Sequence, residues 1–173
     1  MKKPLFFVLH FSFFILALAL CGCANYQWTS DVPERMRTVS VPTFRNESDT
    51  FEAGVMASTQ LLREFQREGT FQIREVGDAA VEVQGTVLAL SPTVTGYNRR
   101  SLNRIISGTV QVIALVTVVD KTRGRIVINN KMYTGDAEYS TNGDYATAYK
   151  SASIHALDDL ATKVVDDVLT LQW

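Results

Sequence analysis

The sequence predicts an α+β domain: a two-layer sandwich in which one mixed four- to five-stranded sheet carries two helices on one face. Three observations predict it. Alternating, β-branched stretches are separated by two segments whose apolar residues recur at helical spacing. The order along the chain is strand, helix, three or four strands, helix. Each helix has one apolar stripe to bury, and the economical solution lays both on the same side of a single sheet.

The domain is preceded by a segment of a different kind. Lys2 and Lys3 form a short positive start, and Leu5 to Leu20 is an apolar run broken only by His10 and Ser12. Small residues follow at once, which is how a secretory signal is organised, and the run is marginal for spanning a bilayer. Leu20 and Gly22 stand three and one before Cys23, the arrangement of a bacterial lipoprotein signal. Cys21 fits badly, because bulky Leu20 would then sit beside the scissile bond. The expected organisation is therefore a removed signal over 1–22, a lipidated tether over 23–35 beginning at Cys23, and one domain over 36–173. Ala24 after the acylated cysteine is permissive for transport to the outer membrane.

Within the domain, Met36 to Val41 alternates and reads as the first strand, with Met36, Thr38 and Ser40 on one face and Val39 and Val41 on the other. Pro42 denies it a backbone donor and suggests that the ladder stops or reaches an edge. Phe44 to Asp49 is a polar turn. A helix follows, with the stripe Phe51, Val55, Ser58, Leu62 and Phe65, and Gly69 stops it. Phe71 to Val76 reads as a strand that a right-handed crossover makes parallel to the first.

Ala79 to Leu90 is a longer strand with Val81, Val83, Gly85, Val87 and Ala89 facing inward. Its glycine marks a bulge or a close approach by packed helix backbone. Ser91 to Ser107 is expected as a polar, basic loop, and Gly108 to Val119 as the most apolar strand. Asp120 to Gly124 turns the chain back into an antiparallel partner over Arg125 to Tyr133. Asn142-Gly143 opens the final helix, Asp144 to Leu171, with Ala146, Tyr149, Ser153, Leu157, Leu160, Val164 and Val168 facing in.

Composition excludes several functions. Without the signal, 15 basic residues face 18 acidic ones, a net charge of −3, which is not the balance of a nucleic-acid binder. With Cys21 removed and Cys23 acylated, no thiol is left for a disulfide, for zinc or for nucleophilic catalysis. A domain of this length buries about 70% of its unfolded surface, so it needs no such staple.

Ser151, His155, Asp158 and Asp159 fall together, but on one helix. A hydrolytic triad draws its members from separate elements beside oxyanion donors. No metal-spaced set, phosphate loop or dinucleotide fingerprint accompanies them, so no cofactor is expected. Arg99, Arg100 and Arg104 lie with Tyr97 in the loop of an otherwise acidic domain. Arginine forks bind phosphate well, and a phosphorylated glycolipid would suit them.

The stretch Thr38-Val39-Ser40-Val41-Pro42-Thr43-Phe44-Arg45-Asn46-Glu47-Ser48 resembles the T-V-x-V-P-x-F-x-N-x-T/S strand and turn of the LPS-assembly lipoprotein family LptE. The similarity continues through Leu62 to Gly69, and Asp78 to Val87 is similar to the family's A-D-A-x-L-x-G-x-I strand. It covers essentially the whole mature chain in the correct order. The resemblance implies a non-enzymatic outer-membrane lipoprotein, anchored on the periplasmic face. Such a protein sits in the lumen of an LptD-like β-barrel and helps deliver lipopolysaccharide to the outer leaflet. The family's basic lipid contacts do not map here by motif, so Arg99, Arg100 and Arg104 rest on charge and position alone. The same turn occurs in other outer-membrane lipoproteins of similar topology. The alternative is therefore regulation of another periplasmic partner, such as a peptidoglycan synthase.

Overall fold

A computed structural model of the chain describes residues 32–97, 105–141 and 144–173. The proposed signal, Cys23, Arg99, Arg100, Arg104 and the Asn142-Gly143 pair lie outside the described residues. After a single 3-10 turn at Glu34–Met36 the elements run β1 (Thr38–Ser40), β2 (Arg45–Asn46), α1 (Ala53–Glu68), β3 (Gln72–Ile73), β4 (Val81–Tyr97), β5 (Ile105–Asp120), β6 (Arg125–Ser140) and α2 (Tyr145–Leu169). The six strands form one mixed sheet in the order β3-β1-β4-β5-β6, with β2 alongside β4. This is the expected α+β sandwich, with one strand more than expected because the polar turn after Pro42 contributes the short β2.

The amino-terminal half departs from expectation in phase rather than in kind. Val32 and Met36 are fully buried, so the end of the expected tether already packs into the core. Met36 closes the 3-10 turn instead of opening the strand, and Arg37 reaches back to donate to the Val32 carbonyl at 3.1 Å. The β1 ladder stops at Ser40, just before Pro42, as one of the two expectations had it, but Pro42 does not mark an edge. β1 is parallel to β3 on one side and to β4 on the other. The crossover through α1 thus makes the first strand and the Gln72–Ile73 strand parallel, as expected.

The stripe of α1 is rotated from the predicted one. Ala53, Ala57, Leu61 and Phe65 are buried, whereas Phe51 and Val55 are exposed and Leu62 is half-buried. Small residues decide this. A side chain added at Gly54 would run into the Phe44 carbonyl, so α1 presses its smallest face onto β2. Gly69 ends the helix in the left-handed region at φ 84°, and its N–H donates to the Phe65 carbonyl.

β4 and β5 are longer than their apolar stretches. Ser91 to Tyr97 and Ile105 to Ser107, expected as loop, are paired strand. Their polarity reflects a face that no helix among the described residues covers: Ser91 stands opposite Gln111, and Thr93 opposite Thr109, on the side away from α1 and α2. Pro92 fits because β2 has left β4 after Val87, so among the described residues one side of β4 has no strand neighbour there. A bulge between Val87 and Ala89 shifts the inward register, burying Leu90 instead of Ala89. Gly85 is a point of close approach, but to the Phe44 ring rather than to a helix.

Along β5 the alternation is clean. Val110, Val112, Ala114, Val116 and Val118 are fully buried, and the residues between them are mostly half-covered. α2 lies over β5 and β6, burying Ala152, Ala156, Leu157, Leu160, Val164 and Val168. Gly135 of β6 lets its backbone come close, since any side chain there would strike the Ala156 carbonyl. Ala146, predicted to face in, is exposed because it belongs to the first turn, beyond the core. Asp144 caps that turn, accepting from the Thr147 N–H at 3.1 Å.

β6 is the long edge of the sheet, and α2 covers part of that edge with side chains. The Asp136 N–H donates to Asp159 Oδ2 at 3.0 Å, and Lys163 Nζ donates to the Thr134 carbonyl at 2.8 Å.

Candidate functional site

The Ser151, His155, Asp158 and Asp159 group keeps the arrangement expected of one helix. Ser151 and His155 are exposed on α2. Asp158 lies 3.7 Å from Arg67, and Asp159 is held by Lys163 at 2.7 Å and by the β6 edge. Burial works against the charged form of Asp159, but the Lys163 ammonium and the Asp136 N–H outweigh it, so its carboxyl sits below its ordinary range. Both acids have structural partners. Among the described residues no cluster of ligating side chains could hold a metal ion. No helix there is long and apolar enough to cross a membrane.

Two of the concave surfaces among the described residues differ sharply in chemistry. The first is polar and lies on the helix-free face, with a volume of about 450 Å³. Glu82, Gln84, Thr117 and Asn130 form its floor, and Arg45 and Val76 flank it. Gln84 donates to Glu82 at 2.5 Å, and Lys121 lies 3.2 Å from the other carboxylate oxygen. The Gln84 hydrogen bond first, then Lys121, hold the Glu82 carboxyl below its ordinary value against the opposing effect of burial. A bulge in β6 puts Asn130 at φ 44°, where its N–H donates to Thr117 Oγ1 and its Oδ1 accepts from the same hydroxyl.

The second is apolar. It opens between the first turns of α1 and α2, holds about 420 Å³, and is walled by Phe51, Met56, Leu90 and Tyr149, with Glu52 and Lys150 on its rim. The loop before α1 is what shapes it. Asn46 Nδ2 donates to the carbonyls of Thr50 and Phe51 at 2.8 and 3.0 Å. Its Oδ1 accepts from the N–H and hydroxyl of Ser48 at 3.1 and 2.7 Å. Thr50 Oγ1 in turn donates to the Leu90 carbonyl at 3.3 Å, pinning the loop to β4. One asparagine thereby fixes the whole turn and leaves Phe51 standing 93% exposed. On the α2 side, Tyr145 and Tyr149 stack with ring centroids 5.9 Å apart, and Tyr139 meets Tyr145 edge-on.

Sequence reading missed Phe51 by placing it in the helix stripe. The available signal was Asn46-Glu47-Ser48-Asp49-Thr50, a run of turn formers that ties the backbone down as far as Phe51. Of the predicted site residues, Cys23, Arg99, Arg100 and Arg104 are outside the described residues, and the three arginines fall in sequence between β4 and β5.

Comparison with known proteins places this geometry in context. Residues 36–171 match the family model LptE, described as lipopolysaccharide-assembly. No curated protein sequence matches the chain. Among solved structures, the PelC dodecamer from Paraburkholderia phytofirmans superposes with a TM-score of 0.52 at 17% identity, covering 80% of this chain and 91% of that one. Protein XCC0632 from Xanthomonas campestris gives 0.52 at 13% identity, over 80% and 88% of the two chains. A hypothetical protein from Chlamydia trachomatis gives 0.51 at 12% identity, over 76% and 95%. At these identities the likeness is one of fold.

Proposed function

The chain belongs to the LptE lipopolysaccharide-assembly family, and from that premise we propose that it acts without catalysis, as an outer-membrane lipoprotein that plugs and assists a lipopolysaccharide-translocating barrel of the LptD kind. The observation that carries this reading is the extent of the family match, from Met36 to Leu171, which spans every element from β1 to the end of α2. The surface chemistry supports it. The lumen of a wide barrel is polar, and the helix-free face offers rows such as Ser91, Gln111 and Asp136, or Gln84, Thr117 and Asn130, across β4, β5 and β6. In this reading Cys23 carries the acyl anchor on the periplasmic face of the outer membrane. More than one acyl chain makes such an anchor effectively permanent.

Arg99, Arg100 and Arg104 are the proposed contacts to lipopolysaccharide phosphates. Replacing all three with Ser should lower affinity for purified lipopolysaccharide by about tenfold or more at low salt, because charge-assisted hydrogen bonds are strong. The loss should shrink as salt rises, and the melting temperature should stay nearly constant. Unchanged affinity at low salt would remove these arginines from the site. The partner is tested separately, by gentle detergent extraction and identification of what co-purifies. A large β-barrel supports the reading, whereas a peptidoglycan synthase replaces it with the regulatory alternative.

A further inference from the structure

The helix-free face is not uniformly polar. Val76, Ile126 and Met132 stand 61%, 55% and 60% exposed, half of the large apolar side chains displayed among the described residues. Ile126 is paired with Val119 and Met132 with Leu115, so β5 and β6 carry two apolar pairs on this face, and Val76 walls the polar cavity beside them. Large apolar groups displayed together mark an interaction surface.

The chain itself holds a segment of matching pattern. Asn25-Tyr26-Gln27-Trp28-Thr29 alternates polar and aromatic residues, the period of an extended segment with one covered face. These five residues lie outside the described ones, but the point where they join the domain is fixed. Val32 is fully buried, and Arg37, directly before β1, donates to its carbonyl. Met36 lies against Thr122, so the join stands at the end of the sheet where β5 turns into β6. The Val119–Ile126 pair is one residue in from the Asp120–Arg125 pair at that same end. Trp28 stands four residues before Val32, a span of up to about 14 Å before its side chain is counted. Tyr26 falls about 7 Å further on, roughly one and a half strand spacings. The cavity also offers an acceptor to an indole N–H. Gln84 donates its amide hydrogen to Glu82, and its own oxygen has no partner among the described residues.

We propose that residues 25–29 lie across the helix-free face as an extended strap, with Trp28 against Val76 at the rim of the polar cavity and Tyr26 toward Val119 and Ile126. The occupant is a segment of this chain rather than a separate partner, and covalent attachment gives it an effective concentration on the order of millimolar. The inference does not rest on the lipopolysaccharide-assembly reading. With Cys23 acylated, as the lipoprotein reading has it, the strap leaves only residues 23–27 to reach the bilayer, about 18 Å at most, and so holds the domain close to its anchor.

Trp28 and Trp173 are the two tryptophans, so the full chain carrying Trp173→Phe reports on Trp28 alone. Reconstituted in nanodiscs of zwitterionic lipid, it should be quenched slowly by acrylamide. Val76→Ser should lower the docked-to-free ratio by about fivefold, read as faster quenching with the circular dichroism spectrum retained. Ile126→Ser should act in the same direction through Tyr26. Val55→Ser removes a similarly exposed apolar group from α1, on the other side of the sheet, and should change nothing. Fast quenching in the parent chain, or slow quenching that neither Val76→Ser nor Ile126→Ser alters, overturns the proposal. So does strong quenching of Trp28 by brominated lipid, because the indole then lies in the bilayer. None of these readings involves lipopolysaccharide or a co-purifying protein, so the strap and the assembly reading fail separately.

Discussion

The two ends of the sheet are finished in opposite ways. Where β5 turns into β6, the chain closes on itself. Asp120 is wholly buried, and it accepts from the Thr122 hydroxyl at 2.6 Å and from the N–H groups of Thr122 and Arg123 at 3.0 and 3.1 Å. Met36, fully buried, lies against this turn, with the Thr122 hydroxyl 3.6 Å from its sulfur. Near Leu90, where α1 and α2 begin, the hydrogen bonds are equally complete, but they hold an apolar ring outward and leave a cleft. Satisfied polar groups can therefore lock a structure shut or brace one open. What differs is whether the apolar side chains nearby have been given anything to cover them.

The comparison is broken most forcefully from the core that both ends share. Leu160→Ala removes a fully buried side chain beneath α2 and should cost about 2–5 kcal/mol in chemical unfolding. Gly135→Ala should cost about 1–3 kcal/mol, since the new methyl group meets the α2 backbone, which cannot turn aside as a side chain could. An unchanged midpoint in that variant would mean that α2 sits higher above β6 than described.

At the closed end, Asp120→Ala should cost about 1–3 kcal/mol at neutral pH, by leaving the buried turn donors without an acceptor. Burial alone would push the Asp120 carboxyl up, but the Thr122 hydroxyl, the two N–H groups and the Arg123 charge outweigh it and hold it below its ordinary value. A carboxyl depressed in the folded state stabilises the fold above its unfolded pKa, about 3.9, and loses that contribution as pH falls through the folded value. The gap between wild type and Asp120→Ala should accordingly narrow below about pH 4 in unfolding curves taken down the acid limb. At the open end the same measurements should register almost nothing. Phe51→Ser and, on the outer flank of α2, Asp158→Ala should each change stability by less than about 0.5 kcal/mol. A large loss at Phe51 would falsify its description as a display residue.

The legibility of the sequence follows the same division. Helix stops, turns and the two-layer architecture were readable because Gly69, the Asp120-to-Gly124 turn and the β5 alternation are local signals. The phase of α1 was not. Phe51, Val55 and Leu62 make as good a stripe on paper as Ala53, Ala57, Leu61 and Phe65, and only the close contact of Gly54 with Phe44 decides between them. The polar ends of β4 and β5 looked like loop because a strand face without a helix over it has no apolar pattern to show. The cleft was invisible for a related reason. It joins Asn46, Leu90 and Tyr149 across three elements, and no spacing along the chain encodes that meeting.

A sixteen-residue strand at the rim of a sheet is an invitation to polymerise, because its unpaired backbone groups can template another chain. Asp159 and Lys163 withdraw part of that invitation by occupying the Asp136 N–H and the Thr134 carbonyl from α2. Asp159, which stood in the sequence as one member of a tempting catalytic cluster, is thus better understood as half of a guard rail. With those two groups occupied, a second copy would find an interrupted ladder at that stretch of the rim.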